Sequence, residues 1–161
     1  MSQAKTWLIE TDELARDLGA PDLVIIDASW YMPNEGKNAQ AEYLEEHIPG
    51  ALFFDIDDIA DTKSTLPHML PPPEKFSSRM RTMGIGDGSR IVVYDSRGLY
   101  SAARVWWTFR VMGVDDVSVL NGACRNGSER ACRWIAARRP TALPGISRRV
   151  GISISCATSR T

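Results

Sequence analysis

Two short runs constrain this chain most: Leu23-Val24-Ile25-Ile26-Asp27 and Arg90-Ile91-Val92-Val93-Tyr94-Asp95. Neither alternates apolar with polar residues, so neither has a face meant for water. Strands that are apolar on both faces belong inside a sheet covered on both sides, which is the parallel kind. Parallel strands need long crossovers, usually helical. The segments between and around these runs supply them.

Trp7-Leu8-Ile9-Glu10 reads as a short strand, and Thr11 is expected to cap a helix with Asp12 and Glu13 in its first turn. That helix runs through Leu14 and Leu18 to Gly19. Tyr31–Asn38 is expected to be a loop, and 41–47 a short amphipathic helix broken by Ile48-Pro49-Gly50. Ala51–Phe54 reads as a third buried strand. A loop with four prolines then runs from Asp55 to Pro73, long enough to be functional or to be covered by another domain. A helix over 74–83 ends at Gly84. After the strand at 90–95 and the turn Ser96-Arg97-Gly98, residues 99–112 are expected to form an apolar helix. Its polar residues Ser101, Arg104 and Thr108 lie on one stripe, and its tryptophans, Trp106 and Trp107, are expected to pack in the core. Val117–Leu120 is the last strand of the series. Strands alternating with helices argue an α/β fold, a parallel sheet with helices on both faces. Ligand sites in such folds sit at the carboxyl ends of strands, here the loops opening at Asp27, Phe54, Asp95 and Asn121.

The chain has 161 residues and a net charge of −1, which hides a split. Residues 1–122 hold 11 Lys and Arg against 19 Asp and Glu, a balance of −8. Residues 123–161 hold 8 Arg, no Lys and one acid, Glu129, a balance of +7. All three cysteines, Cys124, Cys132 and Cys156, also lie in the second part. The change marks a boundary near Gly122. No pair of cysteines has zinc-ligand spacing, and His47 and His68 lie far upstream, so no metal is expected. No apolar run is long enough to span a membrane, and residues 1–10 lack the apolar run of a signal peptide. A cytoplasmic protein is expected.

Five blocks carry a family resemblance: LVIIDASWYMP (23–33), YLEEHIPGALFFDID (43–57), HMLP (68–71), VVYD (92–95) and GLYSAARVWWTF (98–109). In this order and spacing they resemble the N-terminal rhodanese domain of 3-mercaptopyruvate and thiosulfate sulfurtransferases. The resemblance implies a rhodanese-like domain over residues 1–122. It also implies a second rhodanese domain as partner, a small sulfur donor as substrate and no cofactor. In that family only the second domain carries the catalytic cysteine, in a loop of aimed backbone N–H groups at a helix start, which favours the thiolate and its persulfide. The matching position here is Asp95, which cannot form a persulfide. On this reading the chain is the non-catalytic half, inactive alone. Two other outcomes stay open: a non-catalytic module that binds a partner, and an inactive truncated product.

The resemblance singles out four further residues. Asp57 and His68 match an acid–histidine pair that reaches toward the catalytic loop. Such a pair either relays a proton to the pyruvate leaving group or simply orders the long loop. Arg97 and Arg104 are candidates for holding an anionic substrate or the partner domain, with a structural contact the plainer role for Arg104.

After Asn121-Gly122 the family continues Gly-Leu-Pro-Lys-Trp, whereas this chain reads Ala123-Cys124-Arg125-Asn126-Gly127. GGC-CTG-CCG-AAA-TGG read one base out of step encodes Ala-Cys-Arg-Asn-Gly. Residues 123–161 are therefore expected to come from a single-base frameshift and to cover the sheet poorly. A basic arm for nucleic acid is the competing reading of the same charges, and no nucleic-acid partner is expected.

Overall fold

The computed structural model describes residues 7–121. The expectations for residues 123–161 lie outside the described residues. Five strands form one parallel sheet: β1 (Leu8–Glu10), β2 (Leu23–Asp27), β3 (Leu52–Phe53), β4 (Arg90–Tyr94) and β5 (Val117–Asn121), in the order β1-β5-β4-β2-β3. Four helices connect them: α1 (Thr11–Asp17), α2 (Ala39–Glu45), α3 (Pro73–Thr82) and α4 (Ser101–Val111).

Side-chain alternation on β2, β4 and β5 explains why the runs are apolar throughout. Ile26, Ile91, Val93, Val117 and Val119 face a core built with Phe76 and Met80 of α3 and Ala102, Val105 and Phe109 of α4. Ile25, Val92, Tyr94 and Leu120 face the other way, onto Leu14 of α1 and onto Ile48 and Ala51. Both faces are buried, as the two opening runs require.

Several element boundaries differ from expectation by one or two residues, and four of the differences have a local reason. Thr11 is the first residue of α1 rather than its cap, because β1 passes directly into the helix and Glu10 takes the cap position without a side-chain bond. Helix α2 starts two residues early because the Asn38 side chain accepts the N–H of Ala41 at 2.9 Å. Only Leu52 and Phe53 pair with β2, so the third strand is shorter than 51–54. Helix α4 starts at Ser101 because Leu99 adopts a left-handed φ of 62° and cannot join it.

The polar stripe of α4 is also more buried than its chemistry suggests. Ser101 and Thr108 are buried, and the Thr108 hydroxyl donates to the Arg104 carbonyl at 3.0 Å. The tryptophans separate. Trp106 is half-buried, donates to the Val117 carbonyl at 3.1 Å and meets Trp7 edge to face, whereas Trp107 is 42% exposed with Arg104 over its ring. The expectation of core packing therefore fails for Trp107, because the core stripe of α4 passes through Ala102, Val105 and Phe109 instead.

Candidate functional site

The chain leaves β2 toward β3 and leaves β4 toward β5, so the crossovers part company between these neighbouring strands. That divergence opens a crevice at their carboxyl ends. Every site residue expected from the sequence gathers around it.

Asp95 follows β4 and is 1% exposed. Its carboxylate accepts three backbone N–H groups: Arg97 at 2.8 Å on one oxygen, and Tyr100 at 2.8 Å and Ala102 at 2.7 Å on the other. The carboxylate thus closes the turn and caps α4 from within. It also accounts for the left-handed Leu99, which lies between two of the clamped N–H groups.

Asp57 and His68 stand eleven residues apart on the long loop, and the structure brings them together. Nδ1 of His68 lies 3.2 Å from Oδ1 of Asp57, although the ring N–H is not aligned for a hydrogen bond. The Asp57 side chain is 65% exposed and that of His68 32%. His68 has a left-handed φ of 54°, and its carbonyl accepts a hydrogen bond from the Arg104 guanidinium. The loop itself is tied to α3, through Arg79 to Asp58 and through Lys75 to the Ala60 carbonyl at 2.9 Å.

Arg97 pairs with Glu35 and lies over the rings of Tyr31 and Tyr100. Arg104 is committed to the His68 carbonyl and to Trp107. Both arginines therefore border the crevice with part of their donor capacity in use.

Sequence reasoning missed the residues that join these pieces. The Tyr31 hydroxyl donates to Glu42 and contacts the Ser96 hydroxyl at 2.7 Å, and Ser96 N–H donates to the Ser29 hydroxyl at 3.0 Å. This chain of bonds ties the β2 loop, the β4 loop and α2 together. Burial, then the bond to Glu42, pushes the Tyr31 phenol above its ordinary range. Beneath it lies buried Asp27, which accepts the Ser29 N–H at 2.9 Å. Trp30 donates to both oxygens of Asp57, at 3.3 and 3.2 Å. Ser29, Trp30, Tyr31 and Ser96 carry the sequence signal of a place just after an apolar strand, whereas Glu42 lies in α2 and carries none.

A cleft of about 230 Å³ opens beside Asp57, between Trp30, Lys37, Phe53 and Asp55. A larger hollow of about 690 Å³ lies at the opposite, amino end of β4, lined by Phe76, Met80, Ile91 and Phe109, and touches none of the site residues. Of the site residues expected from the sequence, Asp57 lines the smaller cleft, whereas His68, Asp95, Arg97 and Arg104 do not.

The family model for the rhodanese-like domain matches residues 10–129. The chain belongs to the rhodanese-like domain family. The match runs past the Gly122 boundary expected from charge. Among curated relatives, thiosulfate/3-mercaptopyruvate sulfurtransferase 1, mitochondrial, of Arabidopsis thaliana is 52% identical over 115 residues, covering 71% of this chain and 30% of the relative. The 3-mercaptopyruvate sulfurtransferase of Escherichia coli K12 is 47% identical over 118 residues, covering 73% and 42%. The crystal structure of Escherichia coli SseA, described with the rhodanese fold of 3-mercaptopyruvate sulfotransferases, superposes with a TM-score of 0.68 at 45% identity. That superposition covers 74% of this chain and 47% of SseA. This rhodanese-like chain spans less than half the length of the relatives it matches. One relative is mitochondrial by name, so family membership does not set the compartment. Among the described residues no helix is long and apolar enough to cross a membrane.

Proposed function

We propose that this chain is the non-catalytic half of a two-domain sulfurtransferase that moves sulfane sulfur from 3-mercaptopyruvate, or thiosulfate, to a thiol or cyanide acceptor. Asp95 carries the reading. The loop after β4 aims three backbone N–H groups at one point, and a carboxylate of the chain itself fills that point. The same loop with a cysteine would hold a thiolate and then a persulfide. With aspartate it holds the loop shut and performs no transfer.

The reacting thiolate then comes from a partner rhodanese domain. It attacks the sulfur of 3-mercaptopyruvate, the carbon–sulfur bond breaks, and the carbon leaves as the enolate of pyruvate. A proton completes pyruvate, and the sulfur stays on the cysteine as a persulfide until cyanide or a thiol removes it. Asp57 and His68 supply the proton donor for that enolate. Arg97 and Arg104 form the cationic border that favours an anionic donor. The partner domain covers the crevice and the exposed apolar side chains of Leu66, Met69, Leu99 and Tyr100 around it. The same apolar border supports the second reading, a module that binds a partner without taking part in transfer.

Joining residues 1–122 to the catalytic rhodanese domain of a relative tests both. Pyruvate and thiocyanate formation is measured for each piece and for the joined protein. Turnover only in the joined protein, lost in His68→Gln, supports the proposal. Stable association without turnover supports the binding module. Cysteine-dependent turnover by the chain alone overturns the non-catalytic assignment.

A further inference from the structure

Asp57 is exposed and sits on a loop, so its own backbone does not stop its carboxylate from turning into water. Two side chains meet that carboxylate. His68 approaches Oδ1 through Nδ1, and the Trp30 indole N–H reaches both oxygens. Trp30 also meets the His68 ring edge to face, with centroids 5.0 Å apart at 80°. One residue therefore touches both members of the pair.

Trp30 is the better anchored of the three. It lies three residues beyond β2, in a stretch held by Ala28 N–H on the Tyr94 carbonyl and Ser29 N–H on Asp27. Its ring packs against the core between the sheet and α4. His68 is held from the other side by Arg104 on its carbonyl. Its Nδ1 is buried and has no aligned hydrogen-bond partner, with the Asp57 carboxylate 3.2 Å away.

We propose that Trp30 is a positioning residue for Asp57 and His68. Its indole N–H holds the carboxylate toward Nδ1. The negative charge of the carboxylate, 3.2 Å from Nδ1, favours the ring proton there without an aligned hydrogen bond, and Nε2 is left as the atom that exchanges a proton. The proposal rests on the proton-donor role given above to Asp57 and His68.

The test is ring-nitrogen NMR on the full chain, which has two histidines, His47 and His68. Nitrogen shifts report which ring atom carries the proton. The expected state of neutral His68 is Nδ1–H. Trp30→Phe is expected to move the ratio toward Nε2–H on the order of fivefold, the worth of one ordinary hydrogen bond. Asp57→Asn moves it likewise, and the double variant no further than Asp57→Asn alone, because both act through one contact. His47, whose Nδ1 lies 2.6 Å from the Tyr43 carbonyl, serves as the folding control and keeps its signal.

If Trp30→Phe disturbs His47, Asp57→Asn reads the same bond from its other end. The Trp30 indole N–H resonance then shifts upfield and exchanges faster with water. An unchanged tautomer in folded Trp30→Phe, or an unchanged indole resonance in Asp57→Asn, overturns the proposal. Sulfur transfer is not read here, so an inactive joined protein overturns the functional reading and leaves this result standing.

Discussion

The carboxylate of Asp95 accepts the backbone N–H of Ala102 at 2.7 Å, seven residues along the chain and inside the first turn of α4. The same oxygen accepts Tyr100, and the other accepts Arg97. Asp95→Ala leaves three aimed donors without an acceptor. The expected loss is about 3 kcal/mol or more, from charged hydrogen bonds worth about 1.5–3 kcal/mol each and not fully additive. Asp95→Asn keeps an acceptor oxygen and is expected to lose less. Urea unfolding measures both. Formate is expected to restore part of the Asp95→Ala loss and to leave the parent unchanged, since a small carboxylate fits the vacated place.

Phe109 and Trp107 are near neighbours on α4 with opposite fates. Phe109 is fully buried and meets Phe76 edge to face at 5.2 Å, while Trp107 is 42% exposed. Phe109→Ala is expected to cost about 3–5 kcal/mol, the range for a buried aromatic. Trp107→Ala is expected to cost under about 1 kcal/mol. Equal losses in urea unfolding would show that the face assignment of α4 is wrong.

Tyr31, Tyr43 and Tyr94 all ionise later in the folded chain than in the unfolded one. Burial is the leading cause for each; Glu42 then adds to it at Tyr31, and the charge of Asp27 at Tyr43 and Tyr94. Unfolded tyrosines ionise near pH 10. Above that pH the unfolded chain has lost protons that the folded chain keeps. Stability is therefore fully present below about pH 10 and falls as pH rises beyond it. Urea midpoints followed from neutral to alkaline pH check the sign. Tyr94→Phe is expected to flatten the alkaline decline, at the cost of the bond that its hydroxyl accepts from Ile48 N–H at 3.3 Å.

Arg79 ties the long loop to α3, its guanidinium meeting both oxygens of Asp58 at 2.8 and 2.7 Å. Both side chains are more than 40% exposed, so Arg79→Ala is expected to cost no more than about 1 kcal/mol of global stability. The local effect is larger in kind. Trypsin is expected to cut after Lys63 several-fold faster in this variant, because local opening governs cleavage. An unchanged cleavage rate would mean that the other ties of the loop, through Lys75, Arg104 and Trp30, hold it without Arg79.

The strands were legible because their signal is local. An apolar run such as 91–94 has to be buried on both faces wherever it sits, and few sheets allow that. Asp95 was legible as a position after a strand, through the family resemblance. The start of α4 was not, because Leu99 leaves the helix only when the Asp95 carboxylate claims the N–H groups around it. Trp30 read as one aromatic residue after a strand. Nothing nearby in sequence pointed to Asp57, which lies 27 residues on.

By itself, then, the sequence determined the α/β alternation, the parallel sheet, the family and the presence of a carboxylate just after β4. These follow from hydrophobic period and residue chemistry, which are read along the chain. Tertiary structure decided which partners each side chain meets: Asp57 with His68 and Trp30, Arg97 with Glu35, and Arg104 with the His68 carbonyl. Those pairings join residues that lie far apart in the chain. They form because neighbouring crossovers leave β2 and β4 in opposite directions and bring their loops to one crevice, a geometry that no local pattern encodes.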